Sequence, residues 1–167
     1  MTTKEFITPD ELFRDSFSLA RKIHDSGCHP DFLLVLWRGG APVGMAVHEY
    51  LRWKGVEAKD LIVKVESYGG IEKRHEPLVE NEEGMLAGIN ESSRILIVDD
   101  IFDSGETMAR IRDLLRRKTR NVKTAVLYWK KRGAVGPDYF VREVFNWIVF
   151  PHELADLSPD EVGRHIS

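Results

Sequence analysis

A single cysteine, Cys28, occurs among 167 residues. An intramolecular disulfide is therefore impossible, and no Cys/His grouping has the spacing of a zinc site. Long hydrophobic runs are missing: no stretch approaches the ~20 residues that a membrane helix needs, and the opening Met-Thr-Thr-Lys-Glu-Phe has no apolar signal region. Neither sign of charge dominates, with 24 Lys and Arg against 27 Asp and Glu and a formal net charge of −3. Such a balance gives no support to nonspecific nucleic-acid binding, which runs on phosphate neutralisation. Repeats and linkers are lacking too. These absences lead us to expect a reducing cytoplasm, no membrane and no nucleic acid. What is present is an ordinary globular composition, 43% hydrophobic and 31% charged. The length suits one domain over residues 1–167 with a proper core.

The densest chemistry lies in Arg94-Ile-Leu-Ile-Val-Asp-Asp-Ile-Phe-Asp-Ser-Gly-Glu-Thr107. Ile95 to Val98 is a continuous apolar run rich in β-branched residues, the pattern of a buried parallel strand. Asp99, Asp100 and Asp103 follow at once. Ser104-Gly105-Glu106-Thr107 then leads into residues 108–118, where Met108, Ile111, Leu114 and Leu115 keep a helical period. In an open α/β sheet, ligands bind just outside the carboxyl ends of the strands. A helix start at that place offers N–H groups with no internal partner and the positive end of the helix dipole. Gly105 permits close backbone approach, while Ser104 and Thr107 add hydroxyl donors. The ligand implied has a phosphate for the turn, and hydroxyls or a metal for the acids. Helix capping alone requires one such residue and leaves three acids unexplained. Receiver domains of response regulators also place acid pairs after a strand, but after their first one; here the strand over 32–37 precedes it.

Phe32 to Trp37 forms that earlier strand, and Arg38-Gly39-Gly40 follows it before a helix over 42–54 with Val43, Val47, Tyr50 and Leu51 inward. Arg38 offers a rigid fork of donors suited to phosphate oxygens, and Gly39 and Gly40 permit bare N–H groups at an anion. Taken alone, this is equally a tight turn with an Arg beside it. Upstream, Thr8-Pro9-Asp10-Glu11 reads as a capping box. Its helix runs to about Asp25, with Phe13, Phe17, Ala20 and His24 on one stripe, Leu12, Leu19 and Ile23 beside it, and Gly27 ending it. Leu61 to Val65 is another strand. The polar stretch 66–93 exceeds the usual connection length and reads as a flexible lid or as an excursion without a role. Val122 to Trp129 is a further strand, carrying Lys130-Lys131-Arg132 at its carboxyl end, and 130–153 is an aromatic-rich extension. A last helix starts at Ser158-Pro159-Asp160-Glu161. A flat base needs a face to stack on and polar groups at its edge. Trp147 supplies a face, and Lys130, or Lys131 in its place, a donor with no acceptor capacity. A core Trp and a solvated Lys are the plainer alternatives.

Residues 94–107 closely resemble the phosphoribosyl pyrophosphate (PRPP) motif of the type I phosphoribosyltransferases, and Arg38-Gly39-Gly40 resembles the pyrophosphate loop of that family. The order strand, Lys130, Pro137-Asp-Tyr, Trp147-Ile-Val-Phe-Pro-His-Glu153 is similar to the xanthine-guanine and hypoxanthine transferases of bacteria and archaea. The resemblance spans residues 30–153. It implies an α/β fold with a mainly parallel central sheet, helices on both faces, a flexible loop over 66–93 opened by Ser67-Tyr68, and a small C-terminal hood over 130–153 that binds the base. It implies transfer of phosphoribosyl from PRPP to a 6-oxopurine, with Mg²⁺ as cofactor and a homo-oligomer, dimer or tetramer, as the working form. Asp99 and Asp100 would face the ribose hydroxyls directly or through Mg²⁺, with Glu153 reaching a second metal. The loop of Asp103, Ser104, Gly105, Glu106 and Thr107 would hold the 5′-phosphate, and Asp103 would accept the purine proton. Arg38 and Gly39 would bind pyrophosphate; Lys130, Trp147 and the Ile148 carbonyl would bind the base. The chain departs from the pattern at Trp37, where a small residue is usual, and at His152, where Trp is usual. A transferase for another base and a PRPP-binding regulator without catalysis remain the alternatives.

Overall fold

A computed structural model describes residues 3–66, 78–132, 134–155 and 157–165. Ser67 and Tyr68 lie outside the described residues. In chain order the elements are β1 (Lys4–Phe6), α1 (Pro9–Asp25), β2 (Phe32–Trp37), α2 (Gly40–Trp53), β3 (Lys59–Glu66), β4 (Leu78–Val79), α3 (Glu82–Leu86), β5 (Ile95–Phe102), α4 (Glu106–Leu115), β6 (Val122–Trp129), β7 (Tyr139–Glu143), β8 (Trp147–Val149) and α5 (Pro159–His165). No described helix is long and apolar enough to cross a membrane.

Six strands form one sheet in the order β4-β3-β2-β5-β6-β7, parallel throughout except for β4. Both faces of its centre are covered, which is why β2, β5 and β6 read as unbroken apolar runs. Leu33, Val35, Leu96, Val98, Ala125 and Leu127 pack with α1 and α2 on one face. The intervening Leu34, Leu36, Ile95, Ile97 and Val126 pack with α3 and α4 on the other. From β2 the chain proceeds through α2 to β3, and from the adjacent β5 through α4 to β6, on the opposite side. The strand order therefore reverses between β2 and β5, and that switch opens a crevice beyond their carboxyl ends.

The capping box at α1 is present: Thr8 Oγ1 accepts from the Glu11 N–H at 3.2 Å, and Glu11 Oε2 accepts from the Thr8 N–H at 2.8 Å. The sequence left open which of the two stripes of α1 faces inward. Leu12, Leu19, Ala20 and Ile23 are buried, whereas Phe13 and Phe17 stay 41% and 45% exposed. With two apolar stripes on one helix, periodicity does not say which of them meets the sheet.

Three stretches carry detail that the sequence reading did not. β5 runs on to Phe102, so Asp99 and Asp100 lie within the strand, because pairing with β6 continues from Asp99–Val126 to Phe102–Trp129. Within 66–93, Leu78–Val79 adds an antiparallel strand to β3, and α3 follows from a left-handed Asn81 whose side chain accepts from the Gly84 N–H. The extension 130–153 is tied to the rest of the fold by two strands. Its β7 joins the main sheet beside β6, and its β8 pairs in parallel with β1 from the N-terminus. The Glu5 carboxylate accepts from Arg142 at 2.6 Å and from Asn146 at 3.3 Å, which fastens the N-terminal segment to the extension.

Candidate active site

At the end of β2 the chain turns through Arg38 and Gly39 into α2, and the glycines here are required by space. A Cβ on Gly39 would overlap the Asp100 carboxylate, and one on Gly40 would lie 2.5 Å from the Val98 carbonyl oxygen. The turn is thereby laid directly on the end of β5. Trp37 is half exposed; it lines an apolar cavity with Phe13, Phe17, Met45 and Ile62 and also borders the polar cavity at the strand ends.

A polar cavity of about 200 Å³ fills the angle between the two strand ends, lined by Arg38, Gly39, Asp99, Asp100, Thr107, His152 and Glu153 among others. Asp100 is only 6% exposed. His152 Nε2 lies 3.1 Å from its Oδ2, and its N–H donates to Asp99 Oδ1 at 3.0 Å. Burial, and next the negative charge of Asp100, push the Asp99 carboxyl well above its ordinary range. Glu153 is raised as well, by burial first and by Asp100 second, with Arg38 pulling the other way. Negative charge is thus concentrated where a cation would relieve it. Asp100, His152 and Glu153 each bring one ligand atom within 4.8 Å of the others. This donor set fits a divalent metal ion, and Asp99 lines the same cavity.

Gly105 takes φ +79°, and a Cβ there would also meet the Phe102 ring at 2.7 Å, so both conformation and space call for glycine. The turn releases the chain into α4, with the Glu106 N–H donating to Ser104 Oγ at 3.4 Å, Ser104 and Glu106 exposed and Thr107 lining the cavity. A second group forms one strand further along. Lys130, at the end of β6, is held by its N–H donating to the Phe102 carbonyl at 2.9 Å. Its ammonium donates to Asp103 Oδ2 at 3.0 Å and sits 5.1 Å from the centroid of the Trp147 ring. Arg132 Nη2 lies 3.0 Å from Asp103 Oδ1. Lys131 turns instead to Glu143 and the Trp129 ring. Trp147 is 52% exposed and so presents a face, while the Ile148 side chain is buried. On β8 the Trp147 N–H donates to Thr3 and the Val149 carbonyl accepts from Ile7, both toward β1. Strand alternation turns the intervening Ile148 carbonyl to the opposite edge.

The sequence-expected residues of β2, β5, α4, β6 and β8 therefore gather at one edge of the sheet, in two adjoining groups. His152 was not among them as a partner of the acids. It ends an aromatic column in which Tyr128 stacks on Phe150 and Phe150 on His152, with centroids 5.6 and 5.3 Å apart and 14° between planes in each pair.

The phosphoribosyl transferase domain model matches residues 7–159. A xanthine-guanine phosphoribosyltransferase of Gluconobacter oxydans is 33% identical over 156 residues, covering 90% of this chain and 85% of that protein. One of Cereibacter sphaeroides is 31% identical over 153 residues, covering 87% and 84%. The crystal structure of a purine phosphoribosyltransferase from Pyrococcus horikoshii superposes with a TM-score of 0.77 at 27% identity, over 93% of this chain and 97% of that one. With the match running through both strand-end turns and the Lys130–Trp147 segment, the chain belongs to the phosphoribosyl transferase domain family.

Proposed function

We propose that this protein transfers the phosphoribosyl group of PRPP to a 6-oxopurine base, giving the nucleoside monophosphate and pyrophosphate in purine salvage in the cytoplasm. The observation that carries the choice of base is the Lys130 ammonium, set 3.0 Å from Asp103 and 5.1 Å over the Trp147 ring. A free 6-oxopurine that attacks through N9 carries its hydrogen on N7, beside the O6 acceptor on the same edge; once that proton is lost, N7 and O6 are the two acceptors of the product. Lys130 donates to O6, Asp103 takes the proton that N7 surrenders, and Trp147 stacks on the ring. The 6-amino group of adenine would face a donor-only ammonium, a mismatch worth roughly 1–3 kcal/mol. The Ile148 carbonyl, turned away from β1, meets the 2-position.

At the ribose, the C1′–oxygen bond to pyrophosphate breaks as the bond to purine nitrogen forms. Thr107 and the first N–H groups of α4 hold the 5′-phosphate together with Ser104, Gly105 and Glu106. Asp99 and Asp100 orient the ribose hydroxyls. Arg38 and the Gly39 N–H accept the departing pyrophosphate, whose charge grows in the transition state. Asp99, Asp100 and Glu153 would hold the divalent ion, Mg²⁺ by the family resemblance, which when bound offsets that charge. Alignment of the two substrates supplies ~7–11 kcal/mol of the barrier reduction. We further propose that two copies associate through the apolar cavity of Phe13, Phe17, Trp37, Met45 and Ile62, since contiguous exposed apolar surface marks an interface and a two-fold dimer is the commonest assembly.

Turnover with PRPP and each of hypoxanthine, guanine, xanthine, adenine and a pyrimidine tests the reading, together with Asp103→Asn. The 6-oxopurines are expected to lead, and Asp103→Asn to keep PRPP binding while losing most turnover. Turnover led by adenine or a pyrimidine would overturn the base assignment; PRPP binding without turnover of any base would leave a regulator.

A further inference from the structure

We propose that Arg132 is a positioning residue for Asp103: it holds one carboxylate oxygen by charge, so that the other stays turned to the N7–H of the base. The inference rests on the transferase reading and adds a residue to which that reading gives no role. Its basis is geometric. Arg132 Nη2 lies 3.0 Å from Asp103 Oδ1, while the Lys130 ammonium donates to Oδ2 at 3.0 Å.

The backbone brings both cations to the same side. The Lys130 N–H donates to the Phe102 carbonyl at 2.9 Å, which fastens the segment after β6 beside Asp103. Side chains alternate along extended backbone. Lys131 accordingly goes to Glu143 at 3.4 Å and to the Trp129 ring at 5.2 Å, and Arg132 returns to the side of Lys130. Among the described residues, Asp103 is the one acidic partner of Arg132. Lys130 is shared, because its ammonium also sits 5.1 Å from the centroid of the Trp147 ring, where the base stacks.

The two contacts differ in kind. Lys130 makes an aligned hydrogen bond to Oδ2. Oδ1 is buried with no hydrogen-bond partner among the described residues, so the Arg132 contact is one of charge without hydrogen-bond alignment. A buried carboxylate oxygen with neither a donor nor an opposing charge is costly. Without Arg132, the carboxylate gains by turning both oxygens toward Lys130. That turn withdraws the ammonium from O6 and Oδ2 from N7–H. With Arg132 in place, Oδ2 retains a lone pair for N7–H beside its bond to Lys130.

The test uses 9-deazahypoxanthine, which keeps N7–H and O6 but has carbon where the attacking N9 would be. Its binding to the full-length protein with PRPP and Mg²⁺ is measured by calorimetry, together with hypoxanthine kinetics. The Arg132 side chain is 65% exposed and its charge is partly screened, so Arg132→Gln is expected to weaken the analogue by about fivefold. The kcat/KM for hypoxanthine should fall by a similar factor, with the KM for PRPP unchanged. Arg132→Lys should restore both, because an unaligned contact asks for a point charge and not for the guanidinium fork. In an Asp103→Asn background, Arg132→Gln should have no further effect. Unchanged analogue binding in Arg132→Gln, failure of Arg132→Lys to restore it, or an equal loss in the Asp103→Asn background would overturn the proposal. A rise in the KM for PRPP would overturn it too, by showing that Arg132 serves the phosphates. Wild type with no affinity for the analogue would bring down the transferase reading as well, whereas wild-type affinity that survives Arg132→Gln brings down this proposal alone.

Discussion

Gly39→Ala adds a single carbon at the point where the β2 turn rests on the acid cluster. That carbon would overlap all three atoms of the Asp100 carboxylate group. Asp100 cannot swing clear, because it is 6% exposed and His152 Nε2 lies 3.1 Å from the same Oδ2. Either the carboxylate or the Arg38–Gly39 turn must shift by about an ångström. Overpacking of this kind costs ~1–3 kcal/mol of stability, and a displacement of ~1 Å in a positioning group costs roughly 10²-fold in rate. Gly27→Ala is the matched control: Gly27 has φ +74°, but a Cβ there meets nothing within 4 Å. Its left-handed backbone costs ~1–2 kcal/mol, with no path to the site. Urea midpoints and steady-state kinetics with PRPP are measured for both. Both variants should lose stability, and Gly39→Ala alone should lose roughly a hundredfold in kcat/KM for PRPP. Wild-type kinetics in Gly39→Ala would refute the contact between turn and acids.

Thr8→Ala removes the hydroxyl that accepts from the Glu11 N–H, the side-chain half of the capping box at α1, and should cost ~1 kcal/mol, read as a lower urea midpoint; an unchanged midpoint would show that α1 needs no such cap. Asp99→Asn should raise the urea midpoint of the metal-free protein at neutral pH. The folded-state carboxyl is held well above its ordinary 3.8 by burial and by Asp100. The folded protein therefore keeps a proton that the unfolded chain releases, and stability falls as pH rises above 3.8 through the raised value. Asp99→Asn should flatten that slope, and identical pH profiles would contradict the assignment. Phe17→Asp should convert a dimer to monomer in sedimentation velocity, whereas a monomeric wild type would remove the proposed interface.

Legibility in the sequence followed the range of the interactions. The runs of β2, β5 and β6, each ended by charged or glycine-rich turns, announced a doubly covered sheet and its ligand edge, because burial on both faces leaves no polar alternation. Thr8 and Glu11 announced the start of α1, since both partners lie within one turn. Pairings at long separation left no local trace. β1 and β8 are three residues each and meet across the length of the chain, too short for any period to register. Asp100 and His152 lie 52 residues apart, and their contact depends on an aromatic column that no spacing encodes. The Asp103–Lys130 pair was half legible: both were expected at strand ends on one edge, but adjacency of β5 and β6 was needed to bring them together. α3 was hidden because its start depends on a left-handed Asn81 inside a polar stretch.

Lys130 carries the central claim, that a charged donor at the end of β6 reads the 6-position of the base. The most direct measurement is the ratio of kcat/KM for hypoxanthine over adenine in wild type and in Lys130→Met, with the PRPP constant determined in each. Removing a charged donor of ~1.5–3 kcal/mol corresponds to a fall of roughly 10- to 150-fold in that ratio. The account predicts that fall with the KM for PRPP nearly unchanged. A ratio that survives the substitution would contradict it.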